Sequence, residues 1–362
     1  MNPFFPEIQK IFGFGMMRLP VHEGKVEMDL TAKMVDAFLE AGFNYFDTAH
    51  PYLDGQSEKA VYNCLTSRYP RERYVLANKL SYRFFETEED ILPFFHKQLE
   101  TCGVDYFDFY LIHANSAVRH PKFTNTRAYD ILQELKSAGK IRHVGMSFHD
   151  SAEVLEQILT ERPELDFVQL QFNYADYEDP TVESRKCYEV CRKLGKPVFI
   201  MEPVKGGSLI NLPQAALDLM TESPANYAIR YAAGFEGVAM VLSGMSDMAQ
   251  MEENIGFMKD FQPLSNEEQK MIDKVRTIYQ ARHRIPCTAC RYCTEVCPAG
   301  IPIPEIFTWV NAKGSENPPA EDYSAFSPSA GDCLGCGQCE AACPQHLHIP
   351  DLLKNIQENF GK

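Results

Sequence analysis

The chain has 362 residues, 45% of them hydrophobic and 23% charged, the proportions of an ordinary folded protein with room for one large domain and a small one. Its formal net charge of −15 argues against nucleic acid or an anionic membrane as a general partner, since the field of the whole molecule repels both. No apolar run approaches the length of a membrane span, and Met1 to Lys10 has neither a basic stretch nor a continuous apolar one, so a cytoplasmic location is the default expectation.

From the N-terminus, short apolar runs alternate with longer amphipathic segments. Strands are expected near Ile11–Met16 and at Phe43–Asp47, Tyr74–Lys79, Phe107–His113, His143–Ser147, Phe167–Phe172, Val198–Met201 and Val238–Ser243. Helical periodicity falls between them, at Leu30–Ala41, Ser57–Arg68, Glu88–Cys102, Ala128–Ala138, Ala152–Leu159, Val182–Leu194, Ser223–Ala233 and Asp247–Met258. Such regular alternation fits an α/β fold of the (β/α)8 TIM-barrel kind better than an open doubly wound sheet. No complete Gly-x-Gly-x-x-Gly follows a strand: Gly13-Phe14-Gly15 stops short and leads into no helix. The barrel is expected to fill residues 1–262. A connecting helix follows over 263–284, opened by a Ser265/Glu268 capping box and carrying Met271, Val275 and Ile278 on one face.

Barrel enzymes place their chemistry at the C-terminal ends of the strands. Asp47 ends the second expected strand, Lys79 the third and His113 the fourth, and Tyr52 lies in the loop after Asp47. Singly, each has an ordinary explanation: an Asp caps, a Lys extends to water, a Tyr fills a core, a His is a satisfied interior group. Together, at successive strand ends, they make a catalytic constellation the better reading.

Twelve cysteines divide unevenly. Cys64, Cys102, Cys187 and Cys191 are scattered and read as small buried hydrophobes. The other eight crowd into residues 285–362 as Cys287-x-x-Cys290-x-x-Cys293-x-x-x-Cys297-Pro298 and Cys333-x-x-Cys336-x-x-Cys339-x-x-x-Cys343-Pro344. This spacing, twice repeated, is the bacterial ferredoxin run, in which three cysteines wrap one four-iron cubane and the fourth serves the other cluster. Two 4Fe-4S clusters are therefore expected, one on Cys287, Cys290, Cys293 and Cys343, the other on Cys333, Cys336, Cys339 and Cys297. Structural zinc favours paired Cys-x-x-Cys units and is the lesser alternative. Short helices are expected at Pro304–Ala312 and Pro350–Phe360, the latter with an apolar stripe of Leu352, Leu353 and Ile356, and a loop at Lys313–Ala330. Gly335 and Gly337 would let backbone amides approach the sulfurs; His346 and His348 read as loop residues, not ligands. The second domain is thus small, mainly helical and ferredoxin-like.

Phe46-Asp47-Thr48-Ala49-His50-Pro51-Tyr52, Ala77-Asn78-Lys79 and Leu111-Ile112-His113 resemble the active-site tetrad segments of the aldo-keto reductase family. Gly145-Met146-Ser147, Gln171-Phe172-Asn173-Tyr174, Pro203 to Gly207 and Glu253-Asn254 extend the likeness over roughly residues 8 to 260. The resemblance implies an NAD(P)H-dependent oxidoreductase that moves hydride between an extended nicotinamide cofactor and a small carbonyl or alcohol substrate. It makes Tyr52 the general acid, Lys79 the cation that eases its ionisation, Asp47 the support of Lys79, and His113 the group orienting the carbonyl. It places Gly15, Met16, Ser147 and Gln171 at the nicotinamide, Pro203, Val204, Gly206 and Gly207 at the pyrophosphate, and Glu253 and Asn254 at the adenine, with Ser243 and Gly244 opening the loop after the last strand.

That loop, Ser243 to Gln250, departs from the family in lacking Lys or Arg, which leaves the choice between NADH and NADPH open. Phe148 stands where an Asn commonly follows the Ser, and Met201 where many members have an aromatic ring. Nicotinamide delivers two electrons together, whereas each cluster passes one. No residue pattern announces a flavin that would convert between them, although the altered cradle leaves room for one. An alternative reading follows, in which the clusters exchange electrons with a ferredoxin-like partner protein. Tyr82, Phe84, Phe85 and Phe148 are the aromatic residues available to line a substrate pocket.

Overall fold

The computed structural model describes residues 2–282, 284–313, 319 and 322–361. Eight parallel strands close a barrel: β1 Phe12–Gly15, β2 Tyr45–Asp47, β3 Val75–Ser81, β4 Phe107–Asn115, β5 Ile141–Phe148, β6 Phe167–Gln171, β7 Val198–Met201 and β8 Val238–Gly244. β8 pairs back onto β1, so no edge is left open. The expected (β/α)8 architecture is the observed one. The strands read as near-continuous apolar runs because one face meets the helices and the other the barrel interior.

That interior is packed with large rings. Tyr45, Phe109, Phe167 and Phe199 fill it, and Phe5, from the segment before β1, closes on Phe109 at 5.1 Å and on Phe199 at 5.5 Å between ring centres. Asn2 Nδ2 donates to Ala239 O at 2.6 Å, fixing the same segment. Two glycines make the room. A Cβ on Gly145 would fall 2.5 Å from the Phe167 ring, and one on Gly13 would strike Leu242, Met240 and Tyr45.

Three local differences from the sequence expectation stand out. β3 and β4 run two residues past their expected ends, to Ser81 and Asn115. The helix expected over Ser57–Arg68 is an α-helix, Gln56–Val61, followed by a π-helical turn, Tyr62–Thr66, where Tyr62 lies too close to Gly103 to admit a Cβ. A two-stranded ribbon, Val21–His22 with Lys25–Val26, precedes the first barrel helix.

The chain divides into two compact units, one of Met1–Val204 with Leu219–Asp273, the other of Lys205–Asp218 with Lys274–Lys362. The second unit therefore takes in a segment following β7 as well as the C-terminal region. Helix Asn266–Gln280 opens with the expected capping box: Ser265 N donates to Glu268 Oε2 at 2.7 Å, and Glu268 N to Ser265 Oγ at 3.2 Å. The C-terminal region is mainly helical, with Tyr292–Glu295, Ile303–Lys313, Gln338–Ala342 and Ile349–Phe360. Its own core gathers Ile306, Phe307, Trp309, Tyr323, Leu353 and Ile356. The expected loop at Lys313–Ala330 lies partly outside the described residues and contains one 3-10 turn, Tyr323–Ala325. Among the described residues no helix is long and apolar enough to cross a membrane.

Candidate active site and cluster ligands

Side chains alternate inward and outward along a strand. Carried two residues beyond the apolar interior layer of Tyr45, Ala77, Leu111 and Gly145, that alternation turns Asp47, Lys79, His113 and Ser147 inward at the C-terminal ends. Gly15 is level with Asp47 on one side and with Gly244 on the other. Period-two geometry thus collects at one mouth the polar residues that lie scattered in the sequence.

Lys79 Nζ donates to Asp47 Oδ1 at 2.6 Å and to Thr48 O at 2.9 Å, and neither charged side chain reaches solvent appreciably. Burial pushes the Asp47 carboxyl up and the Lys79 ammonium down, each against the attraction of the other. The same ammonium sits 4.9 Å from the centre of the Tyr52 ring. The Tyr52 and His113 rings meet edge to face at 5.9 Å, and Ser81 Oγ lies 2.6 Å from His113 Nδ1. Burial first, then the Lys79 charge, holds the His113 imidazolium form well below the usual histidine range, so the ring is neutral at pH 7. All four residues of the expected tetrad are brought together.

Beneath them lies a network that the sequence reading passed over. Glu58, fully buried, accepts from Asn78 Nδ2 and Gln98 Nε2, each at 2.9 Å, and its other oxygen meets His50 Nδ1 at 2.6 Å. Asn78 Oδ1 accepts from Lys79 N at 2.8 Å, tying the network to the Lys79 backbone. One signal was available: Gln98 interrupts the apolar stripe Ile91, Phe94, Phe95, Leu99, Cys102 of its helix, and a buried amide requires partners.

The expected cofactor contacts are placed as follows. Ser147 Oγ accepts from Ala114 N at 2.7 Å, which leaves its own hydrogen to donate. Gln171 Nε2 donates to Asp176 Oδ2 at 2.8 Å, an oxygen also bound by Asn173 Nδ2. Gly15 and Met16 stand at the end of β1, and Ser243 and Gly244 at the end of β8, where the Gly244 backbone packs on the Arg18 side chain. Asp247 caps helix Met248–Met258 by accepting from Gln250 N at 2.8 Å. Glu253 and Asn254 lie on that helix, and Asn254 Oδ1 is buried with no hydrogen-bond partner among the described residues. Pro203 and Val204 belong to the barrel unit, Gly206 and Gly207 to the other. Phe85 and Phe148 are core residues, 2% exposed, whereas Phe84 is 39% exposed.

Among the eight C-terminal cysteines, Cys297, Cys333, Cys336 and Cys339 line one cavity, walled by Ile301, Ile303, Pro350 and Leu353; these are the four expected to share a cluster. The Cys339 thiol feels Cys333 and Cys297; the Cys293 thiol, pushed up to about 12 mainly by burial, feels Cys287, Cys343 and also Cys339. Amides aim at the sulfurs: Ala289 N donates to Cys287 Sγ and Gly335 N to Cys333 Sγ, both at 3.4 Å. The two runs share a backbone path, with Ala289 and Arg291 at φ 53° and 66° where the second run has Gly335 and Gly337 at 65° and 73°. Among the described residues no three His, Cys, Asp or Glu side chains converge on one point as ligands of a single ion would. Around a cubane each thiolate bonds a different iron, so the sulfurs stand apart. The apolar cavity, with its four thiols and the Gly335 amide on Cys333 Sγ, has the donor chemistry of a four-iron cluster site. His348 is paired with Glu340 at 2.9 Å. Cys64, Cys102, Cys187 and Cys191 are all buried, with thiols raised by that burial.

The aldo/keto reductase family model matches residues 12–277, and that of the 4Fe-4S dicluster domain matches residues 286–348. The NADH-specific methylglyoxal reductase of Escherichia coli (strain K12) is 31% identical over 196 residues, 48% of this chain and 57% of that protein, so the match spans little more than half of its length. An uncharacterized oxidoreductase of Bacillus subtilis (strain 168), YqkF, is 26% identical over 277 residues, 67% of this chain and 85% of that protein. Among solved structures, the aldo-keto reductase AKR11C1 from Bacillus halodurans (holo form) superposes with a TM-score of 0.61 at 24% identity, covering 73% of this chain and 91% of that one. An aldo-keto reductase from Klebsiella pneumoniae in complex with NADPH gives a TM-score of 0.60 at 18% identity, covering 76% and 92%.

Proposed function

The chain belongs to the aldo/keto reductase family and carries a 4Fe-4S dicluster domain after its barrel, and from this premise we propose that it reduces a small carbonyl compound with NADH or NADPH, or runs the reverse oxidation. The observation that carries the reading is the buried Lys79 ammonium, 2.6 Å from Asp47 Oδ1 and 4.9 Å from the Tyr52 ring centre. When bound, the nicotinamide cofactor supplies the hydride.

Tyr52 donates its phenolic proton to the carbonyl oxygen as negative charge develops there. A free phenol, with a pKa of about 10, is a reluctant donor, and the adjacent Lys79 cation stabilises the phenolate left behind. Asp47 holds that cation in place. Neutral His113, its Nδ1 engaged by Ser81, orients the carbonyl through Nε2. Ser147 and Gln171 hold the nicotinamide carboxamide and so fix the ring face presented to substrate. Small dicarbonyls such as methylglyoxal, the substrate in the name of the Escherichia coli relative, are the first compounds to try. The test is turnover of methylglyoxal with NADH and with NADPH, compared between the native protein and Tyr52→Phe; turnover surviving that change would sink the reading.

A second reading rests on the exposed position of Cys336 and on Leu334, 72% exposed between two cluster cysteines. Edges of the second cluster would then lie near solvent, where a one-electron partner protein can approach. Here the clusters, when present, supply single-electron transfer. Methylglyoxal reduction driven by a low-potential one-electron donor in the absence of nicotinamide supports this reading; strict nicotinamide dependence refutes it.

A further inference from the structure

The segment following β7 holds a buried lysine that the hydride-transfer chemistry does not use. Lys205 is only 5% exposed and has φ of 48°, a strained conformation for a side-chain-bearing residue. Its Nζ lies 3.4 Å from Gln345 Oε1, and Gln345 is itself 5% exposed. Gln345 follows Cys343-Pro344 directly, and His346 N donates to Cys343 O at 3.2 Å, so the loop holding Gln345 is the one that carries Cys343. The next residue, Gly206, touches the other ligand loop of the same cluster: a Cβ there would fall 2.5 Å from Thr288 O, and Thr288 lies between Cys287 and Cys290. Consecutive residues thus grip both loops that carry the ligand set Cys287, Cys290, Cys293 and Cys343.

We infer that Lys205 is a positioning and charge-supplying residue for this one cluster, raising its reduction potential relative to the same cluster without it. Reduction adds one electron and makes the cluster more negative by one unit, with no bond made or broken. A buried cation held against the Cys343 loop favours that form, and burial keeps its field from being screened by water. Glycine at position 206 is what lets the segment come close enough, since any side chain would lift it off Thr288. The inference rests on the crossed ligand sets, and iron content with separate cluster signals tests those sets independently.

The experiment is an anaerobic redox titration of the full-length holoprotein with dithionite, without nicotinamide, following each cluster by electron paramagnetic resonance. In Lys205→Met the one-electron reduction equilibrium of one cluster should shift about tenfold against reduction, a drop of about 59 mV, while the other stays put. Lys205→Arg should keep the native value. Should Lys205→Met fail to retain iron, Gln345→Glu, which brings an opposing charge to the same spot, should lower the same midpoint. Unchanged midpoints, equal shifts in both clusters, or an effect confined to the KM for NADH or NADPH would overturn the proposal.

Discussion

Asp47 and Lys79 form a buried ion pair at 2.6 Å, one end of which, Asp47 Oδ2, has no hydrogen-bond partner among the described residues. A pair so desolvated is costly to break, because the survivor is left charged in the barrel interior. Lys79→Met should destabilise the protein by about 3–5 kcal/mol, and the double variant Asp47→Asn/Lys79→Met should recover a large part of that loss. Anaerobic urea unfolding of the native protein, Asp47→Asn, Lys79→Met and the double variant measures this; a double variant as unstable as the sum of its singles would rule out the pairing as described.

Tyr52→Phe removes one oxygen from a ring packed against His113 and Lys79 and leaves the packing in place. Turnover should fall by about 10² to 10⁴, the usual worth of a general acid, with little change in nicotinamide affinity. Steady-state kinetics alongside fluorescence titration of NADH separates the two effects.

His113 is neutral in the folded state because burial and the Lys79 charge oppose its protonation, whereas in the unfolded chain it titrates near about 6.5. Below that pH the unfolded state takes up the proton first. Stability therefore falls as pH drops from about 6.5, by up to about 1.4 kcal/mol per unit, and the residue contributes no slope above it. In His113→Gln that part of the acid slope should vanish, as read from unfolding midpoints between pH 5 and about 7.5.

On the crossed ligand sets proposed from the cysteine spacing, Cys297→Ser, in the first run, should damage the cluster otherwise held by the second. The native protein should hold about eight irons per chain. In the variant, the spectroscopic signal lost should be the one also lost in Cys336→Ser, and not the one lost in Cys290→Ser.

Ala289 occupies the left-handed conformation that Gly335 occupies in the second run. Ala289→Gly relieves a steric cost of about 1 kcal/mol, partly offset by the freedom glycine gains in the unfolded chain. A small rise in the thermal midpoint of the holoprotein, with Ala289 N still able to reach Cys287 Sγ, is expected; a marked fall would show that the methyl group is needed for packing.

The barrel was legible because each strand is a short apolar run bounded by turn residues, and because parallel strands place Asp47, Lys79 and His113 at one end whatever the loops do. The 4Fe-4S dicluster domain was legible from cysteine spacing alone. Glu58 was not, since its partners lie 20 and 40 residues away and become neighbours only when β3 and the helix Glu88–Cys102 are in place. Nor was the packing of Gly206: the resemblance places Pro203, Val204, Gly206 and Gly207 at the pyrophosphate, and nothing local says that Gly206 closes on Thr288.

That segment makes the cluster-bearing unit discontinuous in the chain. Lys205, Gly206, Ser208 and Asn211 find partners in Gln345, Thr288, Tyr279 and Arg282, all beyond residue 273. A chain cut after Asp273 would leave residues 205–218 without those partners, so no single break in the sequence separates the two units.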